Sequence, residues 1–389
     1  MKIAIGNVKR KKKLFAGDGE YPRVLASVGA SRKEDSVQTE VQKAKLAQKY
    51  GADIVIDHTL TLQNYEVQKQ ILAETDLPVS SIAVYDMAAS ARYGEKGYFT
   101  AADILLGIER KAKLGIDMMT VHASCLLKDL SFFEESHRVI PCTSRGGTMV
   151  LENAQKTGCE NFYFTHFAEI LEIAKTYGVT LSLGAVYRPA NLYDAVSENA
   201  PYWEELRRNA ELAAAASAKG VACMVEGIGH CPIHLIPEVV QKSKELCKVP
   251  YRVLTVATDS ALGFDHVSSA IAAATAVMAG ADFVTAVSRA EHLGLPSAED
   301  LKEAVISAKI AAHSGYVART GDIALDNAMA KERRAVGCRG AVEASIVPEM
   351  TKEALQKYKA DGEKKCTMCG DFCALSAGDH IRERNARKD

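Results

Sequence analysis

Short apolar runs rich in β-branched residues alternate with longer segments of helical period along most of this chain. Eight such runs are present. Each is the length of one strand, and each is bounded by turn or helix signals. The runs are "RVLASVG" from Arg23, "ADIVID" from Ala52, "PVSSIAV" from Pro78, "DMMTVH" from Asp117, "VTLSLG" from Val179, "ACMVEG" from Ala222, "RVLTVAT" from Arg252 and "DFVTAVS" from Asp282.

Segments of helical period separate these runs, for example "SVQTEVQKAKLAQKYG" at 36–51 and "HFAEILEIAKTYG" at 166–178. Both segments close on a glycine, as helix C-termini commonly do. The eightfold alternation of strand and helix predicts an α/β fold, the (β/α)8 TIM barrel. A doubly wound parallel sheet is the alternative that the pattern leaves open.

The domain boundaries are predicted from where the alternation starts and stops. Residues 1–20 form an N-terminal segment and residues 21–298 the catalytic barrel. Residues 299–360 carry further helical patterns without a strand signal, and residues 361–389 form a polar, flexible, cysteine-rich arm. The charged run from Lys9 to Lys13 is interpreted as a solvated surface stretch.

Charge and cysteine content narrow the class of protein. The chain has 389 residues and a formal net charge of −1, so no basic field points to nucleic acid or to an anionic membrane. The N-terminus places a short apolar stretch before its charges, the wrong order for a signal peptide, and the apolar runs are broken. We therefore expect a cytoplasmic protein whose partners are small molecules and whose cysteines are reduced thiols or metal ligands.

In a TIM barrel, functional groups lie just after the strands, on the C-terminal face. Polar and ionisable residues follow nearly every predicted strand in this chain. A single histidine there is most simply a hydrogen-bonded structural residue, but several on one rim indicate a site. The residues are Asp57, His58, Tyr85, Asp86, His122, Arg188, Glu226, His230, His234, Thr258, Asp259, Glu291 and His292.

Two small sites can be proposed on this rim. His230 and His292 follow the sixth and eighth predicted strands, and two imidazoles completed by water or substrate would make an open metal site. Ser144, Arg145 and the two glycines after them precede a helix, which would suit an anion bound by backbone N–H groups and a guanidinium. Structural histidines and a glycine-rich helix cap are the simpler alternatives.

The segment "CTMCGDFC" at 366–373 concentrates three of the ten cysteines. It could be a structural zinc site with His380 as the fourth ligand, or a surface redox pair, although no thioredoxin-like context surrounds it. The third interpretation is a 4Fe–4S cluster held by Cys366, Cys369 and Cys373. Such a cluster leaves one iron without a thiolate, and that iron can bind S-adenosylmethionine (SAM) for radical chemistry.

Taken together, these features resemble the phosphomethylpyrimidine synthase (ThiC) family, radical SAM enzymes of the thiamin pathway, and its 5-hydroxybenzimidazole synthase paralogs of anaerobic cobamide synthesis. The resemblance covers the chain from about Tyr21 onward. The motifs that carry it are "SRGG" at Ser144, "THF-EI" at Thr165, "SLG---RP" at Ser182, "EG-GH-P-H" at Glu226, "TD---G-DH--SAI" at Thr258, "EHLGLP" at Glu291, "KIAAH" at Lys309 and "C-MCG" at Cys366.

The resemblance implies a homodimeric TIM barrel whose cluster arm reaches over an active site, with flavodoxin or ferredoxin as the electron donor. The implied substrate is 5-aminoimidazole ribonucleotide, and the implied cofactors are a 4Fe–4S cluster, SAM and a divalent metal, zinc or iron. By motif match, Cys366, Cys369 and Cys373 hold the cluster, and His230 and His292 the divalent metal. The implied substrate-binding residues are Tyr85, His122, Ser144, Arg145, Gly146, Arg188 and Glu226, of which Glu226 and His122 are also expected to be catalytic.

Departures from the family pattern fall in the expected pocket. Ala185 stands where the pyrimidine synthases carry an acid, and Ser27 and Ala30 stand where they carry asparagines; the gap before Cys373 is also one residue shorter. A substrate held differently allows its radical intermediate to break down along another route. We therefore expect 5-hydroxybenzimidazole as the product, with hydroxymethylpyrimidine phosphate as the alternative. A zinc-dependent barrel hydrolase and a non-catalytic paralog that needs a partner are alternatives of another class.

Overall fold

The structure is a computed structural model, and it describes residues 1–32, 35–94, 96–197, 199–336, 342–358, 368–374, 377–378 and 380–382. The chain divides into two compact units, Met1–Thr320 and Gly321–Asp389. The strands are β1 (Lys2–Ile5), β2 (Leu14–Gly17), β3 (Arg23–Val28), β4 (Ile54–Asp57), β5 (Val79–Ile82), β6 (Met118–Val121), β7 (Thr180–Leu183), β8 (Cys223–Glu226), β9 (Tyr251–Val253) and β10 (Phe283–Ala286).

Strands β3 to β10 close into a barrel in chain order, β10 pairing with β3, and every pairing in it is parallel. The predicted (β/α)8 barrel is therefore confirmed, and each of the eight predicted runs overlaps one barrel strand. Every residue of β4 to β10 is buried, because helices cover the outside of a parallel barrel while side chains fill its interior.

The helices lie between and after the strands and supply the outer layer of the barrel. Several begin at side-chain caps of the expected kind; Thr100 and Asp103, for example, form a reciprocal capping box. The helices are α1 (Val37–Lys49), α2 (Asn64–Glu74), α3 (Ala83–Tyr93), α4 (Ala101–Leu114), α5 (Leu130–Glu135), α6 (Arg145–Thr157), α7 (Phe162–Thr165), α8 (Phe167–Tyr177), α9 (Leu192–Ser197), α10 (Ala200–Ala218), α11 (Ile236–Cys247), α12 (Asp265–Met278), α13 (Ala298–Thr320), α14 (Ala324–Val336) and α15 (Pro348–Lys357).

The N-terminal segment contains two strands that the sequence does not predict. Strands β1 and β2 form an antiparallel hairpin, and the run between them contacts the N-terminal end of the barrel. Arg10 donates to both carboxylate oxygens of Asp117, at 2.7 and 2.8 Å, and also to the carbonyl oxygens of Asp76 and Leu77. The interpretation of this run as solvated surface is therefore wrong for Arg10, whose charge is paired with a fully buried carboxylate.

Helix α13 lies in the first unit, with the barrel, although the sequence prediction placed residues 299–320 in the C-terminal region. It packs along α12 and also contacts α1, β3 and β10, so it acts as the outer helix of the last strand. Helices α14 and α15 belong to the second unit. Within the described residues, no helix is both long enough and apolar enough to cross a membrane.

Candidate active site at the C-terminal end of the barrel

Tyr85, Ser144 and Arg145 meet where two helices start at the barrel rim. Strand β5 runs directly into α3, so Tyr85 lies on the first turn of a helix and not in a loop. Ser144 caps α6, its hydroxyl accepting from the Gly147 N–H at 3.2 Å, and Arg145 is the first residue of that helix. The Arg145 Nε donates to the Tyr85 hydroxyl at 3.1 Å. A helix N-terminus with a guanidinium beside it is suited to bind an anion, as the sequence predicts.

His122 follows β6 and is wedged between two glycines. A Cβ on Gly146 would lie 2.3 Å from the His122 Cε1, and a Cβ on Gly184 would lie 2.6 Å from its Cδ2. Both positions therefore require glycine, and together they fix the ring. Burial lowers the pKa of His122 to about 4, so the ring is neutral at pH 7. Its Nδ1 is buried and has no hydrogen-bond partner among the described residues.

Glu226 ends β8, inside the barrel, and its carboxylate meets a buried arginine. The Arg252 Nη1 donates to Glu226 Oε1 at 2.7 Å, and the hydroxyls of Thr120 and Ser182 approach the same oxygen at 3.4 Å. Burial alone would raise the pKa of Glu226, but Arg252 and Arg188 outweigh it, and the net shift is downward. Glu226 is therefore held as a carboxylate.

The loop after β7 carries Arg188, and Glu205 on α10 holds this loop through hydrogen bonds to its backbone. Glu205 on that helix is 1 % exposed and accepts from the backbone N–H groups of Val186 and Tyr187 at 2.8 and 2.7 Å. Its partner Ser124 donates at 2.8 Å, and burial raises the pKa of Glu205 to about 7. The Arg188 guanidinium is turned back onto the Ala185 carbonyl oxygen.

His230 and His292 lie side by side, their ring centroids 5.3 Å apart. Each ring is oriented by a carboxylate: His230 Nδ1 is 2.6 Å from Asp259 and His292 Nδ1 is 2.9 Å from Asp265. A carboxylate on Nδ1 leaves Nε2 to face a ligand, the arrangement common around metal-binding histidines. Within the described residues, no group of three or more His, Cys, Asp or Glu side chains could hold a metal ion.

A cavity of about 800 Å³ opens at this end of the barrel, with Ser27, His58, Arg145 and His292 among its lining residues. This volume suits a nucleotide-sized ligand. Both nitrogens of His58 are buried without a hydrogen-bond partner in the described part of the chain. Burial and then the charges of Arg145, Arg252 and Arg188 lower the pKa of His58 to about 3.

Other rim residues singled out from the sequence have structural roles or lie outside this group. Asp57 accepts from the side chains of Thr59, Asn64 and Gln68, which fixes the start of α2. Asp86 forms an ion pair with Lys111, and the side chain of His234 is exposed. The sequence does not single out Arg252 as a site residue, because it stands at the start of an apolar run, where a charged residue is typical of a strand boundary.

The cysteine arm is described in part. Gly370–Phe372 forms a single helical turn between Cys369, which is exposed, and Cys373, which is buried. Cys366 lies outside the described residues. Cysteine thiolates are the usual ligands of an iron–sulfur cluster, so the two cysteines on either side of this turn are of the right type to bind one.

Comparison with known proteins identifies the class. The model of the Radical SAM ThiC family matches residues 2–380. Proteins named phosphomethylpyrimidine synthase are 36% identical in Geobacter metallireducens, over 95% of this chain and 86% of that protein, and 36% identical in Thermodesulfovibrio yellowstonii, over 94% and 87%. Another in Thermoanaerobacter sp. is 37% identical, over 92% of this chain and 84% of that protein.

The fold and the family are therefore those of a TIM-barrel radical SAM enzyme. The chain belongs to the Radical SAM ThiC family, which confirms the family predicted from the motifs. Membership implies a 4Fe–4S cluster and SAM. The roles of the individual site residues, the metal at the histidine pair and the 5-hydroxybenzimidazole product stay predictions.

Proposed function

We propose that this chain converts 5-aminoimidazole ribonucleotide to 5-hydroxybenzimidazole by radical SAM chemistry. The observation that carries the proposal is that an anion site, two neutral histidines and an ionised glutamate lie at the same end of the barrel, where Arg145 and His58 line one cavity. Arg145 and the N-terminus of α6 suit the phosphate. Glu226 and His122 suit the hydroxyls and the amine of the rest of the nucleotide, because each can accept hydrogen bonds.

Three cofactors complete the proposed site. Cys366, Cys369 and Cys373 would hold the cluster, and His230 and His292 would hold zinc or iron. Cluster and SAM together supply a carbon-centred radical able to abstract hydrogen from the ribose. Around them, the chain's own residues bind and orient the nucleotide and exclude water. A homodimer and a flavodoxin or ferredoxin as electron donor belong to the same proposal.

The choice of product rests on the apolar and small residues of the pocket. Ala185 is 1 % exposed and offers no carboxylate to the substrate, and Ala30, which is fully buried, offers no amide. Ser27 lines the cavity with a short hydroxyl. The nucleotide is therefore gripped mainly by arginine, histidine and Glu226, which leaves its ribose carbons less restrained during the rearrangement.

Phosphomethylpyrimidine formation from the same substrate is the second candidate. The observation that favours it is the name shared by the curated relatives at 36% identity. The two candidates share the substrate, all three cofactors and most site residues, so they differ only in how the radical intermediate collapses.

Product analysis tests the proposal. Protein reconstituted anaerobically with iron and sulfide is incubated with the ribonucleotide, SAM and a reductant, and the products are identified by mass. We expect 5-hydroxybenzimidazole together with 5′-deoxyadenosine. A hydroxymethylpyrimidine phosphate would establish the second candidate instead, and SAM cleavage without ribonucleotide consumption would refute both. Cys369→Ala should abolish SAM cleavage while leaving ribonucleotide binding unchanged, which separates the cluster from the barrel site.

A further inference from the structure

Arg252 is a fully buried cation in the interior of the barrel. It is 1 % exposed, and its position on β9 is directly paired in register with Glu226 on β8. Its Nε donates to the Thr285 hydroxyl at 2.9 Å while its Nη1 donates to Glu226 at 2.7 Å. The guanidinium is therefore held at two points, and only one of them is the carboxylate.

A buried ion pair is seldom retained for stability alone, since desolvating the two charges costs as much as their attraction returns. Here the charge of Arg252 acts on His58, a lining residue of the site cavity, whose pKa is lowered by burial, then by Arg145 and then by Arg252. The three donors described above converge on one oxygen of Glu226. Such convergence holds this oxygen of the carboxylate in place. It also opposes protonation, which burial would otherwise favour.

We infer that Arg252 is a positioning residue that holds Glu226 as an oriented carboxylate, so that Glu226 accepts hydrogen bonds from the ribonucleotide and does not protonate it. This inference rests on the proposed function, because it names the ribonucleotide as the ligand. It adds a residue that no motif suggested, and it assigns the protonation state in which Glu226 meets the substrate.

Three other charged or titratable groups of the described residues act on Glu226. They are Arg188 in the loop after β7, His122 after β6 and Tyr85 on α3. His122 and Tyr85 are neutral at pH 7, because burial lowers the pKa of the first to about 4 and raises that of the second. Of these three groups Arg188 carries the full charge, and it cannot replace the contact that Arg252 makes within the barrel.

Binding of the ribonucleotide, measured by calorimetry between pH 6 and 8.5, tests the inference without needing the cluster. In Arg252→Gln, Glu226 should become protonated as the pH falls, and affinity should change with pH beyond the titration of the substrate's own phosphate. Glu226→Gln is the matched control. It has no titratable group at position 226, so its affinity should change with pH only through titration of the substrate's phosphate. The wild-type protein should follow the Glu226→Gln profile in shape, with about 10- to 100-fold higher affinity.

Several results would overturn the inference. If wild-type protein binds and Arg252→Gln keeps both its affinity and its pH profile, Arg252 does not position Glu226. If wild-type protein does not bind the ribonucleotide at all, the proposed function and this inference both fail. Should Arg252→Gln not fold, Arg252→Lys takes its place: an ammonium cannot reach both Thr285 and Glu226, so affinity should fall about fivefold or more without a new pH dependence. Unchanged affinity in that variant also refutes the inference.

Discussion

The two ends of the barrel each hold a buried carboxylate beside an arginine, but the two carboxylates are used differently. At the N-terminal end, Asp117 accepts from Arg10 and from the backbone N–H groups of Asn7 and Val79, all within 2.8 Å. At the C-terminal end, Glu226 has one short contact, and His58 and His122 nearby have buried nitrogens without partners among the described residues.

The difference shows how one fold separates stability from chemistry. At the N-terminal end, the donors of Arg10, Asn7 and Val79 pair with the buried carboxylate of Asp117, and the bonds from Arg10 and Asn7 hold the N-terminal segment against the barrel. Buried polar groups without partners at the other end cost about 1–3 kcal/mol each, and a ligand that satisfies them recovers part of that free energy. Substitutions at the N-terminal end should therefore lower stability without changing affinity, whereas those at the C-terminal end should change ligand binding or the pH dependence of stability.

The largest effect is expected for Arg10→Ala. It leaves Asp117 buried and without its charge partner, so the free energy of unfolding should fall by about 3–5 kcal/mol. Denaturant unfolding measures this change. Affinity for the ribonucleotide should stay within twofold of wild type, and Lys11→Ala in the same run is the control for general effects of charge. A large loss of affinity would show that the two ends are not independent.

A pH effect of somewhat smaller size is expected from His122. Because its pKa is lowered to about 4, the unfolded chain binds more protons than the folded one between that value and about 6.5. The stability from the neutral ring is present above pH 6.5 and is lost as the pH falls towards 4, by about 2–3 kcal/mol. Unfolding at a series of pH values should show this slope, and His122→Gln should reduce it. An equal slope in His122→Gln would assign the acid sensitivity to other groups.

Arg145→Ala should reduce affinity for the ribonucleotide by about 30-fold, or ~2 kcal/mol, because charge-assisted hydrogen bonds to phosphate are lost. Stability should hardly change, since the Arg145 side chain is exposed. Calorimetry with the nucleotide and with the matching nucleoside tests whether the phosphate is the group that Arg145 binds. The nucleoside should bind wild-type protein and Arg145→Ala with the same affinity. If the nucleoside shows the same loss, Arg145 does not contact the phosphate.

The smallest effect is expected for Asp259→Asn, which alters the support of His230 but not the ring itself. Metal affinity should fall about tenfold, or ~1.4 kcal/mol. His230→Ala and His292→Ala should each lose the site, whereas His234→Ala, in the same loop, should bind zinc as wild type does. Zinc titration against a competing chelator measures all four variants. Equal zinc binding by His230→Ala would refute the site.

The sequence predicts those features of the structure whose residues are neighbours in the chain, and it does not predict contacts between distant residues. The barrel was predictable because buried parallel strands appear as apolar runs, as in "ADIVID" at β4. The hairpin was not, since β1 and β2 have four residues each and a charged run between them, and only Asp117 far along the chain explains Arg10. Arg252 has the same difficulty: its partner Glu226 lies on another strand, and register cannot be read from one segment.

The glycine wedge around His122 has a practical consequence. Because the ring is held in one rotamer, each of its two carbon-bound protons should give a single NMR signal. Because the ring does not titrate near neutral pH, these signals should respond to what enters the barrel mouth and not to protonation of the ring itself. His122 is thus a built-in spectroscopic reporter of occupancy, readable in the resting protein before any radical is generated.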